Sequence, residues 1–294
     1  MCGRYAASRR PEDLAALFGV AEVEPAERLE PDYNVAPTKP VYAVLERPPR
    51  PAEPPAAGPA EGPPPEGPSA EAPPVRQLRT LTWGLVPSWA KDATIGSRLI
   101  NARMETVDSK PAYRRAFARR RCLLPADGYY EWYAGEEAAP ETAASGGRRA
   151  AKKPRKQPYF IHPADGGVLA MAGIYELWRD PSKPDGDEHA WRWTCSVLTT
   201  SAPDALGHIH DRMPLLVEPS RYDAWLDPSP RPADELRGLL VPAAPGRLAA
   251  YPVSTAVNSV RNNGPELLTP VTPAGVDVVT GEIAPATAAD DRLF

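Results

Sequence analysis

Two stretches of this 294-residue chain lack the side chains a core needs, and they limit what the remainder can fold into. Residues 48–74 hold twelve prolines and no aromatic, Leu, Ile or Val. Residues 134–157, AGEEAAPETAASGGRRAAKKPRKQ, also lack large apolar side chains. Neither buries enough apolar surface to offset the entropy of ordering it, so both read as disordered insertions. About 240 residues of ordinary globular composition remain, enough for one substantial core. The expectation is one domain over residues 2–270, interrupted twice, with an irregular tail at 271–294.

Within that domain the pattern is one of many short strands. Pro11-Glu12-Asp13, then Leu14, Leu17, Phe18 and Gly19, reads as a short amphipathic helix with acidic residues in its first turn. VYAVLE at 41–46 reads as a strand leading into the first insertion, and RTLTWGLVPSW at 79–89 as a strand that turns at Gly84 and Pro87. Lys110 to Arg121 predicts a helix. CLLPADGYYEWY at 122–133 predicts two strands broken by Pro-Ala-Asp-Gly. Further strands are expected at 158–162, 168–175 and 193–200, short helices at 219–226 and 233–240, and a last strand at 251–258. Without an alternating strand–helix rhythm or a glycine-rich phosphate loop, this predicts an α+β fold with a largely antiparallel sheet and peripheral helices.

The net charge of −4 does not announce a nucleic-acid binder, but residues 98–121 carry eight basic groups against Glu105 and Asp108. Such a segment is either a solvated helix face or a local patch able to neutralise phosphates. Cys2, Cys122 and Cys195 fit neither a disulfide framework nor paired zinc spacing. No apolar run approaches the roughly 20 residues of a membrane span, and no signal-peptide pattern opens the chain. The reading is a reduced, cytoplasmic protein.

Cys2 is the most suggestive single residue. A small second residue lets an aminopeptidase remove Met1, which leaves an α-amine and a thiol on one carbon. Their ordinary pKa values, about 7.7–8.0 and about 8.5, keep both partly reactive near neutral pH. A 1,2-aminothiol attacks a carbonyl first through nitrogen and then through sulfur, closing a thiazolidine. It also suits an N-terminal nucleophile that uses its own amine as base. By position alone, Cys2 equally fits a small residue of no chemical consequence.

Five more clusters carry chemistry: YNVAPT (33–38), WGLVPSW (83–89), NARMET (101–106), DGYYEW (127–132) and HDRMP (210–214). In an extended segment Asn101 and Arg103 share a face, as do Tyr129, Glu131 and Tyr133. A carboxylate among aromatics is unusual on plain surface and predicts a raised pKa for Glu131. His210 has the side chain suited to proton transfer near neutral pH, although a lone His is commonly structural. His162 and His208 are assigned to that structural class. His208 and His210 share a face if extended, but no third metal ligand is evident. Asn34 fits a turn before Pro37, and Trp83 and Trp89 fit a core or a base-stacking role. Arg114 and Arg115 suit phosphate on electrostatic grounds.

The order and content of these clusters, N-terminal Cys included, resemble the SRAP family (SOS response-associated peptidase), whose members crosslink to abasic sites in single-stranded DNA. The resemblance spans Cys2 to about residue 260 outside the insertions. It implies a partly barrel-like sheet core, a monomer, no cofactor or metal, and abasic single-stranded DNA as partner. It also implies Cys2 as the nucleophile for the sugar aldehyde, with Asn101 and Arg103 near the lesion sugar and its phosphates. Glu131 becomes the acid/base residue beside the Cys2 amine, and His210 the group moving a proton at the sugar ring oxygen. Arg4 and Arg212 would hold flanking phosphates, with Asn34, Pro37 and Trp89 also on the DNA-binding side. Met104 stands where relatives often carry Ser or another small or β-branched residue. Three other functions compete: a thiol peptidase acting on its own N-terminus, an N-terminal-nucleophile amidotransferase (Met-Cys-Gly, with Asn263-Gly264), and a noncovalent single-strand binder.

Overall fold

The computed structural model describes residues 2–24, 28–47, 73–133, 156–184, 187–202, 209–240 and 246–272. Nearly all of both expected insertions and of the expected tail lies outside these residues. Gln157, counted with the second insertion, opens a strand instead.

Thirteen strands are described: β1 Tyr5–Ala7, β2 Glu22–Glu24, β3 Asp32–Val35, β4 Pro40–Arg47, β5 Val75–Trp83, β6 Asn101–Arg103, β7 Arg121–Ala126, β8 Gly128–Tyr133, β9 Gln157–Pro163, β10 Leu169–Arg179, β11 Trp191–Ser201, β12 Arg212–Pro214 and β13 Leu248–Pro252. Helices are short: α1 Pro11–Phe18, α2 Arg114–Arg119, α3 Tyr222–Leu226 and α4 Ala233–Gly238.

Five strands close on themselves. β11 pairs with β10, β10 with β7, β7 with β4 and β4 with β5, all antiparallel. β5 then returns to β11 in parallel, Thr194 opposite Thr82, so the ring is a mixed five-stranded barrel. Closure removes the unpaired edges an open sheet would present. A second, antiparallel sheet in the order β13-β9-β8-β1-β3 lies against it. The expected α+β fold with a largely antiparallel, partly barrel-like core is thus the observed one.

Alternation along the barrel strands explains why they are buried on both faces. Leu45, Cys122 and Cys195 point into one cluster, which also takes Tyr5, Tyr129 and Ile161 from the second sheet. Val44, Leu123 and Ile174 point the other way, into a cluster shared with Phe18 of α1, Phe117 of α2, Trp225 of α3 and Leu236 of α4. Each such Leu or Val contributes about 2 kcal/mol by leaving water. The outer face of the second sheet, Tyr130 and Phe160, is covered by Val257 and Leu267.

Three boundaries differ from expectation. The helix expected over 110–121 is confined to Arg114–Arg119, because Arg121 is drawn into β7, where it pairs with Ile174. The strand expected over 251–258 stops at Pro252, and Ser254 caps a 3-10 turn by accepting from the Ala256 N–H. The Pro-Ala-Asp-Gly break shrinks to Asp127, with Pro125 still in β7. Pro125 lies beyond the two residues of β7 that pair with β4, so its missing N–H costs little there. The turn at Gly84 does depend on glycine. Its φ is 134°, and a Cβ would stand 2.7 Å from the Gly96 carbonyl oxygen.

Candidate active site

Cys2 lies just before β1, where the second sheet meets the barrel. Its side chain is fully buried in the cluster that holds Tyr5, Trp83 and Tyr129. Burial and the nearby Glu131 charge push its thiol above the ordinary range, so the resting sulfur is protonated.

Two predicted residues reach it from two different strands, and a third, His210 in the turn before β12, stands beside one of them. β6 runs parallel to β11 with Asn101 opposite Val197, and the Tyr113 hydroxyl donates to the Asn101 carbonyl at 3.1 Å. So held, Asn101 donates through Nδ2 to the Cys2 carbonyl oxygen at 2.7 Å. Among the described residues its Oδ1 is buried without a partner, an acceptor suited to a hydroxyl or amine arriving at the site.

Glu131 sits on β8, hydrogen-bonded between β1 and β9, so it is not on an edge strand. The expected alternation holds: Tyr129 joins the cluster of Cys2, whereas Tyr130 and Trp132 join the cluster on the other face. Glu131 is 3% exposed, and burial raises its carboxyl pKa to about 7. At neutral pH it is therefore divided between acid and base.

His210 presents Nε2 to Glu131 Oε2 at 3.9 Å. Burial holds its pKa below the ordinary histidine value, so the neutral ring dominates near pH 7. A protonated thiol, a half-ionised carboxyl, a neutral imidazole and an open amide acceptor thus stand in one chain of neighbours. That set can move protons in both directions without a metal. Among the described residues no group of three His, Cys, Asp or Glu is placed to hold one. His208 lies outside the described residues, and His162 stacks on Phe160 at 5.7 Å.

The residues expected to contact DNA divide into two kinds. Arg103 is exposed on the same strand as Asn101, with Ala102 buried between them. Pro37 is half-buried, next to Thr38, a non-glycine residue with φ of 72°. Trp89 is 59% exposed, beside Ala90, which accepts a hydrogen bond from Trp178.

The other kind is already engaged. Asn34 is fully buried and bonded within the fold. Its Nδ2 donates to the Ser259 and Asn262 carbonyls, both at 2.9 Å, and its Oδ1 accepts from Arg4 Nη1 at 2.7 Å. Arg4 also donates to the Val257 carbonyl and lies 5.8 Å from the Trp132 ring centre. Arg212 forms a bidentate pair with Glu105, at 2.6 and 3.0 Å, and donates to the Thr199 carbonyl. A phosphate at Arg212 would have to compete with Glu105.

The basic segment at 98–121 also splits. Arg98, Arg103, Lys110, Arg114, Arg115 and Arg119 are exposed. Arg120 pairs with Glu176 at 2.7 Å. Arg121 is 1% exposed and donates to the carbonyls of Trp225 and Phe117 at 2.8 and 3.0 Å, tying together the ends of α3 and α2.

Sequence reasoning passed over Tyr113, Trp132 and Glu105, which orient Asn101, Arg4 and Arg212. Trp132 was visible within DGYYEW, but nothing local pairs Glu105 with an arginine 107 residues away.

No helix among the described residues is long and apolar enough to cross a membrane. The model of the family described as SOS response associated peptidase matches residues 1–260. The abasic site processing protein YoqW of Bacillus subtilis is 32% identical over 268 residues, covering 91% of this chain and 99% of its own. The abasic site processing protein YedK of Escherichia coli is 30% identical over 278 residues, covering 92% of this chain and 100% of its own. A crystal structure of a protein from Bacteroides thetaiotaomicron shares the fold, with a TM-score of 0.65 at 23% identity, over 92% of this chain and 100% of that one. With the family model and relatives of this similarity running nearly end to end, the chain belongs to the SOS response associated peptidase (SRAP) family.

Proposed function

We propose that this protein processes abasic sites in DNA by joining the lesion aldehyde to the α-amine and thiol of Cys2. The observation that carries the reading is the approach of Asn101 and Glu131 to Cys2, with His210 beside Glu131. Relatives named for abasic site processing agree with it.

The chemistry follows from the protonation states. An abasic sugar is mainly a closed hemiacetal. His210 takes the proton of the anomeric hydroxyl and returns it to the ring oxygen as the C1′–O4′ bond breaks, leaving an aldehyde. Once Met1 has been removed, the neutral α-amine adds to that carbon. Glu131, protonated half the time near pH 7, gives a proton to the departing hydroxyl, so an imine forms and one water leaves. The buried thiol then adds to the imine carbon, and its proton passes to the ring nitrogen. The product is a thiazolidine, and the sum is aldehyde plus aminothiol minus one water. Asn101 would hold the arriving sugar oxygen or amine through its open Oδ1.

The finer reading is a monomer acting in the cytoplasm on single-stranded DNA. Arg103 and the exposed arginines of 114–119 would take phosphates, Arg4 and Arg212 those nearest the lesion, with Pro37 and Trp89 at the rim. The test is a denaturing gel of purified protein with single-stranded DNA whose uracil has been excised by a glycosylase. A slow covalent band is expected with the native chain and none with Cys2→Ala. A Cys2→Ala variant that crosslinks as well as the native chain sinks the proposal.

A self-processing thiol peptidase is the second reading, favoured by the family's description. A thiol raised by burial is a poor resting nucleophile for it. Mass spectrometry of protein made in cells without methionine aminopeptidase activity separates the two. Loss of Met1 there favours self-processing, and retention counts against it.

A further inference from the structure

Two groups close to Nδ1 of His210 ask for opposite protonation states of that atom. The backbone N–H of Arg212 donates to Nδ1 at 3.0 Å, which needs a lone pair on that nitrogen. Asp211 Oδ1 lies 2.9 Å from the same atom, an ion-pair contact whose negative charge favours a proton on Nδ1. In the first state the neutral ring carries its proton on Nε2, the nitrogen turned toward Glu131. In the second state Nε2 is a lone pair. The first tautomer is favoured by a hydrogen bond and the second by a nearby charge.

We propose that Asp211 is a positioning residue that selects the tautomer of His210, drawing the proton to Nδ1 and leaving Nε2 as the base that faces the bound sugar. The inference deepens the reading of His210 as the ring-opening residue and rests on it. Asp211 touches no reacting atom. Its role parallels that of a carboxylate orienting a catalytic imidazole, whose main contribution is the correct tautomer. It differs in being 86% exposed, so water weakens its hold and the Arg212 N–H can compete.

The proton count is consistent with this state. Nε2 accepts the anomeric proton while Nδ1–H stays with Asp211. The imidazolium returns the proton to the ring oxygen, and the ring ends neutral. Among the described residues, the charged groups acting on His210 include Glu131 of β8, Lys156 just before β9 and Asp211 beside it. Asp211 favours the protonated ring, and Lys156 disfavours it.

The experiment is 15N NMR of the histidine-labelled full chain without DNA, with His210→Gln assigning its signals among the four histidines. Crosslinking rates are measured in parallel across pH. The wild-type ring is expected to carry its proton on Nδ1. Asp211→Ala should move it to Nε2 and slow crosslinking roughly tenfold. Asp211→Asn, which keeps an acceptor oxygen without the charge, should restore part of both. The same tautomer in wild type and Asp211→Ala overturns the proposal, as does a wild-type ring protonated on Nε2. A chain that shows the shift yet forms no adduct supports the role of Asp211 and fails the crosslinking reading.

Discussion

Cys2 and Cys195 are both fully buried thiols in the same core cluster, and burial raises the pKa of each. By exposure and acidity they are near twins. Their neighbours differ. Cys195 lies on β11 opposite Tyr175 and Trp83, and its sulfur is turned to the Thr82 carbonyl, at 3.7 Å. Cys2 has Asn101 on its own carbonyl, Glu131 close enough to disfavour its thiolate, and His210 beyond Glu131. A low thiol pKa is the usual mark of a reactive cysteine, and neither has one. What distinguishes Cys2 is an adjacent amine and the groups that can move its protons.

Substitutions can break that comparison in order of effect. Cys2→Ala should abolish the adduct, whereas Cys195→Ala should leave its rate unchanged on the same gel. Glu131→Gln should slow adduct formation about 100-fold, the scale of losing a positioned acid/base, as read in single-turnover time courses. Asn101→Ala should cost about tenfold, the scale of one hydrogen bond, with no change in the mass of the product. Cys195→Ala should show itself only as about 1 kcal/mol of lost stability in urea unfolding.

Glu131 also makes a pH prediction. Its carboxyl is raised from 4.5 to about 7 in the fold. Between those values the folded chain binds more protons than the unfolded one, so stability falls as pH rises. The loss is complete above about pH 7 and amounts to about 3 kcal/mol. Glu131→Gln should therefore melt higher than wild type at pH 8, and the gain should vanish near pH 4. A gain that does not depend on pH would mean that Glu131 ionises freely.

Much of this was legible in the sequence, for reasons that differ by region. The helix at Pro11–Phe18 was readable because its acidic first turn and terminal Gly19 are local signals. β8 was readable because its two faces alternate, and that alternation assigned Glu131 to the face of Tyr129. Barrel closure was not, since the pairing of Thr82 with Thr194 joins residues 112 apart by a parallel contact with no local signature. The same limit applies to Asn34. Its motif marked it for function, but its burial under the carbonyls of 257–262 is a long-range fact. Arg121 looked like one more charge in a basic run, whereas the fold spends it on helix-end carbonyls.

The most direct test of the central claim is peptide mapping of the adduct after alkylation with iodoacetamide. The account predicts a peptide that begins at Cys2, carries the sugar remnant less one water, and has neither a free α-amine nor an alkylated sulfur. An adduct on a lysine, or one at Cys2 whose sulfur still takes the alkyl group, would contradict it.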